Sequence, residues 1–196
     1  MLDNLKKYRI ILASNSPRRK ELLAGLGVDY EVRTLPDVDE SYPEKLQGAD
    51  IPLFISKIKA DAYKTLLQPD ELMITADTIV WMDGMVLGKP RNRFGAIEML
   101  RQLSGHTHQV FTGVTITTAT RQHSFSVGTE VRFANLTDEE IVYYVDTYQP
   151  MDKAGAYGVQ EWIGYIGMEN IEGSYFNVMG LPVQRLYNEL KKIPAL

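Results

Sequence analysis

An apolar strand, a serine-rich turn and a helix that begins with two arginines constrain the N-terminal part of this chain. Residues 9–13 are apolar after the first position and predict a buried strand. The next three residues, Ser-Asn-Ser, are typical of a turn, and Ser16 and Pro17 suit the cap and the first position of a helix. Leucines at positions 22, 23 and 26 then recur at helical spacing. A strand–turn–helix unit is therefore expected over residues 8–27.

Arg18 and Arg19 fall in the first turn of this predicted helix. Cations at that end oppose the helix dipole and are unfavourable by roughly 0.3–1 kcal/mol each. A bound phosphate would reverse this cost, because backbone N–H groups, both guanidiniums and the hydroxyls of Ser14 and Ser16 would converge on it. The alternative is that the arginines face solvent or pair with carboxylates such as Glu21. The residues alone leave both interpretations open.

Composition limits the classes of function. The 196 residues suit one domain or two lobes that share a core, and 44% hydrophobic content is that of an ordinary globular protein. The absence of cysteine excludes disulfides and thiol catalysis and fits a reducing compartment. No apolar run reaches the about 18 residues of a membrane span, and no convincing signal peptide is present, so a cytoplasmic protein without membrane contact is expected. A net charge of −4 disfavours nucleic acid and favours a small anionic ligand bound by a local group of cations.

Strand and helix signals alternate along the chain, which predicts the α/β class. Further strands are expected at residues 30–34, 72–82, 109–119 and 125–133, with a hairpin turn at Asp83-Gly84. Helices are expected at residues 50–67, 92–103, 137–148 and 181–192, with Asp50 as the cap of the first of these and a capping box from Thr137 to Glu140. Residues 155–180, rich in glycine and aromatics, are expected to form loops and short strands.

Asp77 is the second strong signal, because it interrupts an apolar run that belongs in a sheet core. Aspartate is disfavoured in strands, and a buried carboxylate is costly unless it is paired or binds a metal. Asp77 is then a metal ligand or general base. The alternative is a turn residue, with the strand ending at Ala76. The β-branched pattern resumes at Thr78, which favours the functional interpretation.

Other charged positions are less specific. Glu40 lies with Asp37 and Asp39 in an acidic loop that could hold Mg²⁺ or simply be solvated. Lys59 lies on a basic helix face. Lys89 stands between a glycine and a proline, but the sequence around it is not a phosphate-binding loop of the Walker A type.

The segment of residues 152–160, DKAGAYGVQ, contains small residues that would let a ligand approach the backbone. Tyr157 could stack on a base and Gln160 could hydrogen-bond to it. The histidines show no metal-ligand spacing, and His108 is expected to be structural.

Taken together, these segments resemble the Maf family of nucleoside-triphosphate pyrophosphatases. The matching stretches are ASNSPRRKELL, the glutamate of DVDE, the lysine of SKIKA, ADTIV, LGKP, SGHTHQVFTGV, PMDKAGAYGVQ and GSYFNVMGLP, which run in the family's order from residue 11 to residue 182. The resemblance implies one Maf-like domain over residues 1–196. It implies a mixed central sheet with flanking helices, in two lobes around a deep cleft, related in fold to the inosine-triphosphate pyrophosphatases. It also implies hydrolysis of a nucleoside triphosphate to the monophosphate and pyrophosphate with a divalent metal, Mg²⁺ or Mn²⁺.

The same resemblance assigns roles to individual residues. Three have catalytic roles: Asp77 as proton acceptor, with Lys59 and Lys89. Two carboxylates, Glu40 and Asp77, would hold the metal. The residues expected to bind substrate are Ser14, Ser16, Arg18, Arg19, Thr78, Lys153, Tyr157 and Gln160.

The DKAGAYG segment with its following glutamine is similar to the dTTP/UTP pyrophosphatase subgroup, so dTTP and UTP are the expected substrates. Two alternatives stay open: a pyrophosphatase for a modified nucleotide such as 7-methyl-GTP, and a nucleotide-binding regulator of septum formation. Asp77 favours turnover, because a regulator needs the cations but not a base. The resemblance also suggests a homodimer. The stretch EWIGYIGMEN is not part of the family motifs.

Overall fold

Among the described residues, seven strands pair in one mixed sheet, and helices flank it. The structure, a computed structural model, describes residues 2–35 and 38–196; Asp37 of the predicted acidic loop lies outside them. The strands are β1 (Arg9–Leu12), β2 (Tyr30–Val32), β3 (Glu71–Met82), β4 (Met85–Leu87), β5 (Thr107–Thr118), β6 (Gln122–Phe133) and β7 (Met168–Glu172). The α-helices are α1 (Pro17–Ala24), α2 (Asp50–Lys64), α3 (Arg93–Leu103), α4 (Asp138–Tyr148), α5 (Trp162–Gly167), α6 (Tyr175–Met179) and α7 (Val183–Leu190). Short 3-10 turns occur at Asp3–Leu5, Pro150–Asp152 and Ala154–Ala156.

The strand order is β2-β1-β3-β5-β6-β7, with β4 paired to β3. Strand β1 runs parallel to both β2 and β3, so that Ile10 lies opposite Tyr30 on one side and Leu72 on the other. The β3–β4 and β6–β7 pairs are antiparallel. The sheet is therefore mixed, as the resemblance implied.

The chain divides into two compact units. The first contains the described residues of Met1–Asp77 together with Thr112–Val127 and Gly180–Leu196. Its core includes Ile11, Met73, Ala60 and Tyr63, which bring β1, β3 and α2 together. The second unit contains Thr78–Phe111 and Gly128–Met179.

Most predicted elements are present, and three details of the prediction are wrong. Asp50 is the first residue of α2 rather than its cap; Ala49 holds the cap position and makes no side-chain cap bond. Helix α2 ends at Lys64, three residues before the predicted end. Residues 155–180 contain the helices α5 and α6 as well as strand β7.

The caps and turns that rest on local chemistry are confirmed. Thr137 and Glu140 form the predicted capping box of α4. Asp83 and Gly84 both have positive φ, 50° and 78°, and join β3 to β4 as a hairpin. No helix in the described part of the chain combines the length and the apolar character needed to cross a membrane.

Candidate functional site

Asp77 lies inside strand β3, which continues to Met82. The alternative that the strand ends at Ala76 is therefore wrong. The Asp77 side chain is 14% exposed. A carboxylate at such a position needs a partner, because its desolvation is costly.

That partner is Lys59 of helix α2. Its Nζ donates to Asp77 Oδ1 at 2.9 Å and lies 3.1 Å from Glu40 Oε1. Lys59 is 15% exposed and Glu40 is 54% exposed. These three side chains, called the carboxylate–lysine cluster below, all belong to the first unit. The structure thus brings together three residues that lie far apart in the sequence.

The donor set of the cluster fits a magnesium-like cation. Glu40 and Asp77 supply carboxylate oxygens, and Mg²⁺ is commonly held by one or two carboxylates while phosphate and water complete its coordination. Within the described ranges, no group of three or more His, Asp or Glu side chains is placed to hold a metal. Glu40 and Asp77 would hold such an ion, and substrate and solvent would supply its remaining ligands.

The turn before helix α1 uses its hydroxyls as caps. Ser16 Oγ accepts the backbone N–H of Arg19 at 3.4 Å, as the N-cap prediction requires. Ser14 is buried, and its Oγ accepts the backbone N–H of Ser16 at 3.2 Å. The structure thus shows both serines in the backbone architecture of this turn; their contact with substrate stays a prediction.

The two arginines at the start of α1 have different surroundings. Arg19 is half-buried and its Nε donates to the carbonyl of Gly180 at 2.8 Å. Burial lowers the pKa of Arg19, while the charges of Asp77 and Glu40 act in the opposite direction. Arg19 therefore lies in the electrostatic field of the carboxylate–lysine cluster.

Arg18 makes no ion pair within 4 Å with any carboxylate of the described residues, Glu21 included. Its charge acts on Arg19, whose pKa is lowered further by it. An uncompensated cation beside a helix N-terminus is the arrangement that an anion would stabilise.

The other predicted site residues belong to the second unit, which begins at Thr78. Thr78 follows Asp77 in strand β3 and is half-buried. Lys89 is exposed, and across residues 2–35 and 38–196 it has no carboxylate partner within 4 Å. It is thus available to an anionic ligand.

Lys153 is buried and held by two carboxylates. Its Nζ lies 2.8 Å from Asp152 Oδ1 and 3.3 Å from Glu161 Oε1. Glu161 Oε2 accepts the hydroxyl of Tyr144, and that hydroxyl accepts the backbone N–H of Gly158 at 3.0 Å. Sequence reasoning missed Glu161, whose stretch is not part of the family motifs. The available signal was Lys153, since a buried ammonium needs a counter-charge.

Tyr157 is 4% exposed and packs edge-on against His108 and Phe133, with ring centroids 5.5 Å and 5.0 Å away. Its hydroxyl lies 2.7 Å from His108 Nε2. Burial lowers the pKa of His108 from 6.5 to about 4, so this imidazole is neutral at physiological pH. His108 is structural, as expected, and Tyr157 has a core role in addition to its predicted role in stacking.

Gln160 is half-buried, and its Oε1 is buried without a hydrogen-bond partner among the described residues. A buried acceptor left unpaired costs about 1–3 kcal/mol. A ligand that donates a hydrogen bond to this oxygen would remove that cost. Gln160 is therefore suited to bind a polar ligand edge.

Comparison with known proteins places this geometry in a family. Residues 9–193 match the family described as Maf-like protein. The chain belongs to this family. It is 70% identical over 193 residues to a dTTP/UTP pyrophosphatase of Bacteroides thetaiotaomicron, an alignment that covers 98% of this chain and 100% of the relative. It is 61% identical over 191 residues to a dTTP/UTP pyrophosphatase of Parabacteroides distasonis, covering 97% of this chain and 99% of the relative. The predicted family is thus confirmed.

A solved structure shares the fold at low sequence identity. A HAM1 protein from Coxiella burnetii aligns with a TM-score of 0.52 at 12% identity, over 95% of this chain and all of that chain. At this identity the likeness concerns the fold alone. The predicted α/β fold with a mixed central sheet and flanking helices is confirmed.

Proposed function

We propose that this Maf-like protein hydrolyses dTTP and UTP to the nucleoside monophosphate and pyrophosphate. The observation that carries the proposal is the carboxylate–lysine cluster, in which Asp77 and Glu40 meet Lys59 in the unit that also contains Arg18 and Arg19. Such a set combines a base with phosphate-binding cations, as hydrolysis of a polyphosphate requires. The names of two relatives, at 70% and 61% identity, support the same reaction.

Asp77 is the proposed general base. It accepts a proton from water as the water oxygen bonds to the α-phosphorus. The bond from that phosphorus to the bridging oxygen breaks, and pyrophosphate leaves with the electron pair. General-base assistance of this kind is typically worth about 10²–10⁴-fold in rate.

The cations bind the triphosphate and stabilise the charge that develops on the leaving pyrophosphate. Arg18 and Arg19 fill this role at the start of α1, where backbone N–H groups and the helix dipole favour an anion. Lys59 and Lys89 add two flexible ammonium groups. Ser14 and Ser16 keep the turn in the shape that presents these groups.

A divalent cation, Mg²⁺ or Mn²⁺, is the proposed cofactor, with Glu40 and Asp77 as its protein ligands. When bound, such an ion neutralises phosphate charge and makes the phosphorus more electrophilic. Glu40, which is the more exposed of the two carboxylates, can adjust to the ion without rearrangement of the core.

Gln160 is the residue proposed to recognise the nucleotide base. Its Oε1 can accept the N3–H of uracil or thymine, and its amide N–H₂ can donate to O4. The buried position of Oε1 means that a base without a matching donor would leave the acceptor unpaired. Arg18, Thr78, Lys153 and Tyr157 are proposed to contribute to pyrimidine selection.

Incubation of the purified protein with UTP, dTTP, CTP, GTP and 7-methyl-GTP plus Mg²⁺ tests the proposal, with pyrophosphate and orthophosphate measured separately. The expected product is pyrophosphate, with the highest kcat/KM for UTP and dTTP. A preference for 7-methyl-GTP would support the modified-nucleotide alternative. Nucleotide binding without turnover would support the regulator of septum formation and overturn the enzymatic role.

We further propose a cytoplasmic homodimer that works on free nucleotides. The cysteine-free sequence fits a reducing compartment, and the acidic net charge of −4 disfavours a nucleic-acid partner. The dimer rests on the family resemblance, and sedimentation of the purified protein tests it.

A further inference from the structure

Lys59 contacts both carboxylates that the proposed function assigns to the metal. Its Nζ lies 2.9 Å from Asp77 Oδ1 and 3.1 Å from Glu40 Oε1. The ammonium takes one oxygen of each carboxylate, and its positive charge repels a divalent cation that approaches the same two groups. The contacts of Lys59 with Glu40 and Asp77 therefore weaken the binding of a metal ion by these carboxylates.

The local charge balance points the same way. The negative charges of Glu40 and Asp77 are already compensated by Lys59. Arg19 compensates them further, because it interacts electrostatically with both carboxylates. Arg18 adds a further positive charge beside Arg19. A divalent cation added to this surrounding, with no phosphate present, would meet net repulsion. A triphosphate reverses the sign of the field.

Lys59 is also able to leave. Its side chain is a flexible four-carbon stem with a compact charge, and it makes single contacts with each carboxylate rather than a two-pronged arginine pair. The next residue, Ala60, is completely buried, so the helix backbone stays anchored while the ammonium moves. A triphosphate would offer this ammonium several new oxygen partners.

We propose that Lys59 makes metal binding conditional on nucleotide. In the nucleotide-free protein its ammonium bridges Glu40 Oε1 and Asp77 Oδ1, and the divalent cation binds only weakly. When a triphosphate enters, Lys59 transfers to the phosphates and the two carboxylates become available to the cation. This inference rests on the proposed function and adds an order of binding to it.

Titration of the nucleotide-free protein with Mn²⁺, followed by the electron paramagnetic resonance signal of free Mn²⁺, tests the proposal without any turnover. Lys59→Met is expected to bind Mn²⁺ at least about tenfold more tightly than the wild type, a difference of about 1.4 kcal/mol. The matched control is Lys57→Met, which removes the same charge from an exposed position on the same helix. It should bind Mn²⁺ like the wild type.

A double variant tests whether the tighter Mn²⁺ binding of Lys59→Met arises at Asp77. Adding Asp77→Asn to Lys59→Met should abolish the tighter binding if the new affinity belongs to this cluster. A gain in Mn²⁺ affinity that survives in the double variant, or an equal gain in Lys57→Met, would overturn the proposal.

Lys59→Gln serves as a second variant that keeps a hydrogen-bond donor and removes only the charge. Unchanged Mn²⁺ affinity in a folded Lys59→Gln protein would also overturn it.

The wild type supplies an independent measurement. Its Mn²⁺ affinity should rise at least about tenfold in the presence of an α,β-imido analogue of UTP, beyond the binding of Mn²⁺ by the analogue alone. High-affinity Mn²⁺ binding by the nucleotide-free wild type would refute the conditional mechanism even if UTP is hydrolysed normally. Conversely, a lack of pyrophosphate release would refute the proposed function and leave the Mn²⁺ titrations interpretable.

Discussion

The buried imidazole of His108 should make the stability of this protein depend on pH in a way that one substitution removes. His108 is 2% exposed, contacts the hydroxyl of Tyr157 through Nε2 and packs edge-on against Phe133. Burial alone accounts for the lowering of its pKa from 6.5 to about 4. The unfolded chain therefore takes up a proton at this side chain at a higher pH than the folded chain does.

The sign and size of the effect follow from this difference. Above about pH 6.5 the imidazole is neutral in both states, and His108 contributes nothing to the pH dependence of stability. As the pH falls, the unfolded state gains a proton first, so the free energy of unfolding decreases until the pH reaches about 4. At about 1.4 kcal/mol per pKa unit, the loss relative to neutral pH is about 2 kcal/mol at pH 5 and about 3 kcal/mol at pH 4.

The assay is urea unfolding of the wild type and of His108→Phe between neutral pH and about pH 5, where protonation of His108 in the unfolded chain already lowers stability by about 2 kcal/mol. Phenylalanine keeps an aromatic ring in the cluster but does not ionise. At neutral pH the variant should be less stable by about 1–3 kcal/mol, because the bond to Tyr157 is lost. At about pH 5 that difference should shrink by about 2 kcal/mol.

His106→Phe is the matched control, because His106 is exposed two residues before His108. Its stability should follow the wild-type pH profile. A difference between the wild type and His108→Phe that is the same at both pH values would refute the reasoning. It would mean that His108 is solvated or charged in the folded protein, in contradiction to its packing.

Four further predictions concern single substitutions. Asp77→Asn should keep the fold in circular dichroism and lower kcat by about 10²–10⁴-fold, measured as pyrophosphate release from UTP. Arg18→Ala should weaken nucleotide binding in calorimetry and leave the ligand-free Tm unchanged or slightly raised, because it removes a cation that opposes the dipole of α1. Arg19→Ala should lower the ligand-free Tm, because it removes a half-buried hydrogen bond to a backbone carbonyl. Gly113→Ala should destabilise the protein by about 1–3 kcal/mol or more in urea unfolding, because its Cβ would overlap the backbone of Pro52.

Each of these four predictions has an outcome that would contradict it. Turnover of Asp77→Asn within a few-fold of the wild type would remove the base assignment. A large loss of Tm in Arg18→Ala would show that this arginine is structural, and an unchanged Tm in Arg19→Ala would show that its bond to the backbone does not stabilise the fold. Wild-type stability of Gly113→Ala would mean that β5 and α2 separate there at little cost.

Local patterns explain why much of the fold could be predicted from the sequence. The strand–turn–helix unit at the N-terminus and the capping box at Thr137 depend on neighbours within four residues. The continuation of β3 through Asp77 follows from the β-branched residues after it. Arg18 and Arg19 were accordingly placed in the correct turn, but their different environments were not predicted, because Arg19 bonds to a residue 161 positions away.

The segment after residue 155 was less predictable, because tertiary packing outweighs local propensity there. Glycine is a poor helix former, yet α5 contains Gly164, where a Cβ would collide with the carbonyl of Val159. The same segment supplies Glu161, the counter-charge of Lys153. The burial of Tyr157 depends on His108 of β5 and Phe133 of β6, which lie far from it in the sequence.

Strand β3 carries two carboxylates, Glu71 and Asp77, that differ in their exposure and in the partners that hold them. Glu71, at the start of the strand, is 1% exposed and takes two parallel bonds from Arg33, at 2.7 Å and 2.9 Å. The Arg33 guanidinium holds the pKa of Glu71 below its ordinary value, and the two-pronged geometry fixes both side chains. Asp77, six residues further on, is partly exposed and has a single bond from a flexible lysine. A carboxylate fixed by two bonds in the core cannot exchange partners during a reaction, whereas one held by a mobile ammonium can accept a proton or a cation when that ammonium moves to a phosphate. The choice of partner, arginine for Glu71 and lysine for Asp77, thus agrees with a structural role for the first and with the catalytic role proposed for the second.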